Sequence, residues 1–126
     1  MADSLGNFKL DMKLNTYSKA ADGTIVVEVH FEGEVDGFGV AFGTLNVPLP
    51  EGGAKGGSCT WTGQAFPPDR PWVVGSGAGT WAQVEDLNRW KLIFPVLKNS
   101  DGSQVRSEGE IDLAKRTFSG QFFDAS

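Results

Sequence analysis

From Phe8 to Asn15 the chain reads Phe-Lys-Leu-Asp-Met-Lys-Leu-Asn, an unbroken apolar–polar alternation that suits an extended strand with one buried face and no helix. The same period returns downstream. Ile25, Val27, Val29 and Phe31 share one parity against Glu28, His30 and Glu32. Cys59, Trp61, Gly63 and Ala65 alternate with Ser58, Thr60, Thr62 and Gln64. Trp90, Leu92, Phe94 and Val96 share a face between Arg89 and Leu97. Val105, Ser107, Gly109, Ile111 and Leu113 stand opposite Gln104, Arg106, Glu108, Glu110 and Asp112, and a last strand sets Phe118, Gly120 and Phe122 inward. Turn chemistry separates these runs: Ala-Asp-Gly at 21–23, and Asp101-Gly102, the strongest hairpin signal, because Gly supplies the positive φ of a tight turn. About eight antiparallel strands and no helix follow, an all-β fold closed or nearly closed into a barrel, or else a small sandwich.

Four stretches break the pattern. Phe38, Val40 and Phe42 have one parity and Leu45, Val47 and Leu49 the other, which predicts a bulge near Gly43. Residues 48–57 and 67–71 are rich in Pro and Gly and read as loops, either of which could close over a barrel mouth. Gly75-Ser-Gly-Ala-Gly79 reads as a bend before a strand at 80–84, and Pro95 predicts an edge or bulged position, since it donates no ladder hydrogen bond.

With 126 residues the chain fits one domain, 1–126, with flexible ends at 1–6 and 124–126. A net charge of -5 disfavours nucleic acid and anionic membrane surfaces as partners. No run approaches the roughly 18 apolar residues of a spanning helix, and the N-terminus lacks the pattern of a secretory signal. Cys59 is the single cysteine; it cannot form an internal bridge, and a cytoplasmic location is the expectation.

Chemistry-bearing groups are sparse. His30 is the single histidine; with Glu32 it forms the one candidate acid–base pair, either solvated on the outer face or, if the polar parity were the inner one, sharing a chamber with Arg106 and Glu108. One histidine and one cysteine leave no His- or Cys-based metal site. Glu32, Glu34 and Asp36 would stand about 7 Å apart along a strand face, too spread for one ion. Gly75–Gly79 lacks the Lys-Ser/Thr ending of a phosphate loop, so neither metal nor cofactor is expected.

The inward parity is the informative surface. Met12, Phe31, Phe42, Cys59, Trp61, Trp81, Trp90, Phe94, Ser107 and Phe118 form the candidate lining, with Phe122, interleaved with Gly63, Gly79, Gly109 and Gly120. A small barrel can be filled by such side chains or hold one small ligand among them. Any ligand would be apolar or aromatic, held by buried area with one or two polar contacts from Ser107, Cys59 or Thr16.

Gly77-Ala78-Gly79-Thr80-Trp81 and Ser107-Glu108-Gly109-Glu110-Ile111, both in the second half of the chain, are similar to segments of small calycin-like barrels, including the allene oxide cyclase-like barrels. The resemblance implies a barrel that binds a hydrophobic molecule, with cyclase or isomerase activity in some members. Three readings follow: a carrier of a small hydrophobic molecule, a cyclase or isomerase using His30 and Glu32 if they reach the interior, and a ligandless module that forms homo-oligomers.

Overall fold

The computed structural model of the chain describes residues 3–85 and 87–126. Eight strands follow one another: β1 (Ser4–Lys19), β2 (Ile25–Val35), β3 (Gly39–Leu49), β4 (Gly56–Phe66), β5 (Val73–Gln83), β6 (Arg89–Asn99), β7 (Gln104–Asp112) and β8 (Thr117–Asp124). Each pairs antiparallel with the next, and β8 pairs back onto β1, with Phe8 opposite Gly120 and Leu10 opposite Phe118. This up-and-down closure satisfies every strand edge. No helix forms among the described residues.

The ends expected to be flexible are partly strand: Ser4 and Gly6 pair with Phe123 and Phe122, and Asp124 closes β8 opposite Val105. Met1 and Ala2 lie outside the described residues. Gly102, at φ 93°, makes the β6–β7 turn as the Asp-Gly pair predicts.

The alternation places Leu10, Val29, Phe31, Phe94, Ile111, Phe118 and Phe122 in one buried core. Besides a register shift between Ser4 and Gly6 at the start of β1, two bulges reset it. In β1 the register shifts between Met12 and Leu14, which turns Leu14 out to solvent at 59% exposure rather than inward. In β6 it shifts between Phe94 and Leu97, at Pro95, so Leu97 and not Val96 faces inward.

β3 departs from expectation in the opposite way. Its pairing with β2 runs without a shift from Ile25–Leu49 to Val35–Gly39, so there is no bulge at Gly43. Ala41, Leu45 and Val47 face inward, while Val40 and Phe42 face out, Phe42 against the Phe66 ring at 6.1 Å. Volume explains the reversal. The Trp61 ring from β4 lies over Gly43, where any Cβ would collide with it, so β3 contributes small residues there. The 75–79 segment is likewise strand and not a bend: inward Gly77 and Gly79 lie under the Leu97 and Phe94 side chains of β6.

Candidate functional site

Closure gives the barrel two unlike ends. At one, Trp81 and Trp90 meet edge to face at 5.4 Å, and Met12, Leu49 and Ala54 pack against the core. Ala54 belongs to the β3–β4 connection, which is shorter than the 48–57 segment predicted as a loop: Pro48 and Leu49 are still β3, and Gly56 and Gly57 open β4. That loop caps the filled end rather than a ligand mouth. Cys59 is buried here too, 1% exposed, and its burial pushes the thiol up to about 11.

The other end carries the β2–β3 turn, the β4–β5 loop, the β6–β7 turn and both chain termini, and here the interior is hollow. A cup of about 110 Å³ opens inside the barrel. Its space comes from small residues on three adjacent strands, Ala41 on β3, Gly63 and Ala65 on β4 and Gly75 on β5; its apolar walls are Phe8 on β1, Phe94 and Leu97 on β6, and Phe118 and Phe122 on β8. Trp61 forms the floor, its ring 6.3 Å from Phe118 and 6.1 Å from Phe31. Phe8 stands edge-on to Phe118 at 5.0 Å. Such pairs fix ring orientations beyond what area burial alone would do.

Three polar residues line this cup, Gln64 from the outer parity of β4 and two from inward positions. Ser107 on β7 is the one buried polar residue among those described. Asn99 on β6 sits higher, its amide Nδ2 donating to Ser103 Oγ at 3.0 Å. No Asp, Glu, His, Lys or Arg is among the residues lining the cup.

The mouth is held by contacts between neighbouring hairpins. The Asn7 N–H donates to Asp36 Oδ2 at 2.8 Å and the Asp36 N–H returns to Asn7 O at 2.9 Å. Ser100 Oγ accepts from the Val74 N–H at 3.0 Å, and the Ser100 N–H donates to Val74 O at 2.8 Å. Across the opening, the Arg70 guanidinium lies 5.1 Å above the centre of the Phe38 ring and 3.8 Å from Asp101 Oδ2. One side chain therefore joins the β4–β5 loop to the turns on either side of it. Asp101 is held ionised below the ordinary carboxylate range, first by the Ser103 hydroxyl and N–H and then by Arg70.

The candidate lining divides along the barrel axis. Phe42, Trp61, Phe94, Ser107 and Phe118 border the cup, Phe42 from the outer side of its strand. Phe31 supports the floor from below. Met12, Cys59, Trp81 and Trp90 belong to the filled half. Phe38 and Val35 border the cup as well; Val35 ends β2 on its inward parity, and Phe38 lies in the turn that follows. Leu97 was hidden by the bulge at Pro95.

His30 and Glu32 do not reach the interior. His30 lies on the outer face between two threonines, Nε2 at 3.4 Å from Thr16 Oγ1 and Nδ1 at 3.1 Å from Thr44 Oγ1. Glu32 pairs on the same face with Lys13 at 3.3 Å. The inner parity of β2 is the apolar one, Val27, Val29 and Phe31, so an acid–base pair at these positions is separated from the cup by the wall of the barrel. Thr16 is outside with His30 and offers no contact to an interior ligand.

Comparison with known protein families, with curated sequences and with solved structures finds no match to this chain.

Proposed function

We propose that this protein binds a small hydrophobic molecule, with its apolar end in the cup above Trp61. The observation that carries the reading is the cup itself: an eight-stranded barrel is just wide enough to be filled by its own side chains, and here one half is filled while the other holds about 110 Å³ lined by aromatic and aliphatic groups. The resemblance to calycin-like barrels carries the same expectation.

The volume sets the scale of the ligand. An apolar cavity of ~150 Å³ accepts benzene, so this cup takes a ring or short chain of about six carbons or fewer. At ~0.8 kcal/mol per buried CH₂ the gross gain is about 5 kcal/mol, which corresponds to a Kd in the range of 0.1 to 1 mM. A tighter ligand has to extend through the mouth, where Asn99 and Arg70 supply the polar contacts. Ser107 is placed to accept or donate one hydrogen bond to the buried end.

Calorimetric titration of benzene and of C4 to C8 alcohols tests this. Saturable binding that peaks near six carbons and is lost in Ala65→Leu, a variant that fills the cup from an inward position, is the expected result. No saturation up to the solubility limit, or equal binding by Ala65→Leu, overturns it.

A further inference from the structure

Charge is distributed very unevenly around this barrel. The chain has 27 charged residues, 11 Lys and Arg with 16 Asp and Glu, yet β3, β4 and β5 contain none. These strands are neighbours. Their outer surfaces form one continuous face of Val, Phe, Thr, Ser, Asn, Gln and Ala. The charges lie on the other strands: Glu28 to Glu34 on β2 and Arg89, Lys91 and Lys98 on β6, which border the face on either side, and Lys9, Asp11 and Lys13 on β1 and Arg106 to Asp112 on β7 beyond them.

One end of the uncharged face is apolar and exposed. Val40 pairs with Phe66, and Phe42 with Gln64, which pairs in turn with Val74. Trp72, immediately before β5, is 59% exposed beside them, and Phe42, Phe66, Val40 and Val74 are all more than two-fifths exposed. At ~200 Å² for a fully exposed aromatic side chain, the three rings alone leave roughly 300 Å² uncovered, the size at which an apolar patch marks an interaction site.

We infer that this face is where two copies of the chain meet, back to back about a two-fold axis near Thr62. Two observations select a second copy as the occupant. A chain of net charge -5 repels its own kind, and β3, β4 and β5 are three neighbouring strands on which two copies approach with no charged strand residue between them. In addition, hydroxyl and amide groups both donate and accept, so a surface of Thr44, Thr60, Thr62, Gln64 and Ser76 around a hydrophobic end is complementary to itself, as a two-fold interface requires. Charge depletion with aromatic enrichment is the composition of interface cores. Three strands ~4.8 Å apart and 11 residues long present about 500 Å² in projection, the low end of specific interfaces, where association is weak. The dimer is accordingly one that forms in the micromolar range.

The test is the solution mass of the full chain by light scattering between 5 and 500 µM. The wild type is expected to approach twice 13.5 kDa as concentration rises. Thr62→Arg, at an exposed position, places two like charges at the axis and is expected to weaken dimerisation about 100-fold while leaving the unfolding midpoint unchanged at concentrations where the wild type is monomeric; Phe42→Ser should weaken it independently. Ser119→Arg on β8 should change neither. A wild type that remains a single chain at 500 µM, whether alone or carrying another protein or lipid on this face, overturns the proposal. So does a folded Thr62→Arg that dimerises as the wild type does.

Discussion

Arg70 lies over the face of the Phe38 ring, its guanidinium carbon 5.1 Å from the ring centre, and the same side chain approaches Asp101 at 3.8 Å. Loops from three hairpins thus meet at one cation above the cup. Removing that cation should loosen the mouth far more than it weakens the fold, because a partly exposed ion pair and a cation–π contact each contribute about 1 kcal/mol or less. For Arg70→Ala we expect a stability loss of at most ~2 kcal/mol together with faster amide exchange at Phe38 and Gly102, whose N–H groups bond to Val35 O and Asn99 O. Unchanged exchange at both amides would show that the loops close without Arg70.

Phe118 and Phe42 have similar side chains on opposite sides of the wall. Phe118 is 3% exposed among the rings of Phe8, Phe31 and Trp61, whereas Phe42 is 44% exposed. Truncation of a buried Phe to Ala costs ~3 to 5 kcal/mol; urea denaturation of Phe118→Ala should show a loss of that size. At concentrations where the chain is monomeric, Phe42→Ala should lose less than ~1 kcal/mol. Equal losses would mean that the parity of β3 is the reverse of that described.

Gly43 and Trp61 make a matched pair, the absent side chain of one leaving room for the ring of the other. Gly43→Ala should push the indole toward the cup, lower stability by ~1 to 3 kcal/mol through overpacking, shift the tryptophan emission and weaken binding of six-carbon probes. An unaltered emission spectrum and unchanged probe affinity would contradict this arrangement.

The same pair shows where the sequence stops being legible. Strand number and antiparallel order follow from alternation and turn chemistry, both local signals, and they agree with the structure; full closure, left open beside a nearly closed barrel or a sandwich, is fixed by the pairing of β8 with β1. The facing of Phe42 does not follow locally. Apolar Val40 and Phe42 look like core and Ala41 and Gly43 like surface until Trp61, 18 positions past Gly43 in sequence, is seen to occupy the interior on their behalf. The bulge in β1 after Met12 is equally silent, since Leu14 continues the alternation that the backbone abandons. Apart from Phe42, the candidate lining is legible as an inward set, but not its division into a filled half around Trp81 and Trp90 and a hollow half above Trp61. That division depends on side-chain volumes summed across several strands.

Cys59 gives a prediction with a definite sign. Burial raises its thiol from an ordinary 9.0 to about 11, so the folded chain keeps a proton that the unfolded chain releases earlier. Between those values the unfolded state binds fewer protons, and stability falls as pH rises, by at most ~1.4 kcal/mol per pH unit; well below pH 9 the slope from this group vanishes. Subtracting the pH profile of Cys59→Ala isolates the effect. Native protein at pH 8 should also resist thiol alkylation until denaturant is added, and rapid alkylation of the folded chain would contradict the buried placement.

The barrel is hollow at the Trp61 end and filled at the Trp81 end. Methyl and aromatic NMR spectra recorded with increasing xenon or benzene address it directly. Saturable shifts at Val73, Leu97, Val105, Phe118 and Trp61, with Met12, Trp81 and Trp90 unmoved, are the predicted result. Shifts centred on Trp81 and Trp90, or none at either end, would contradict it.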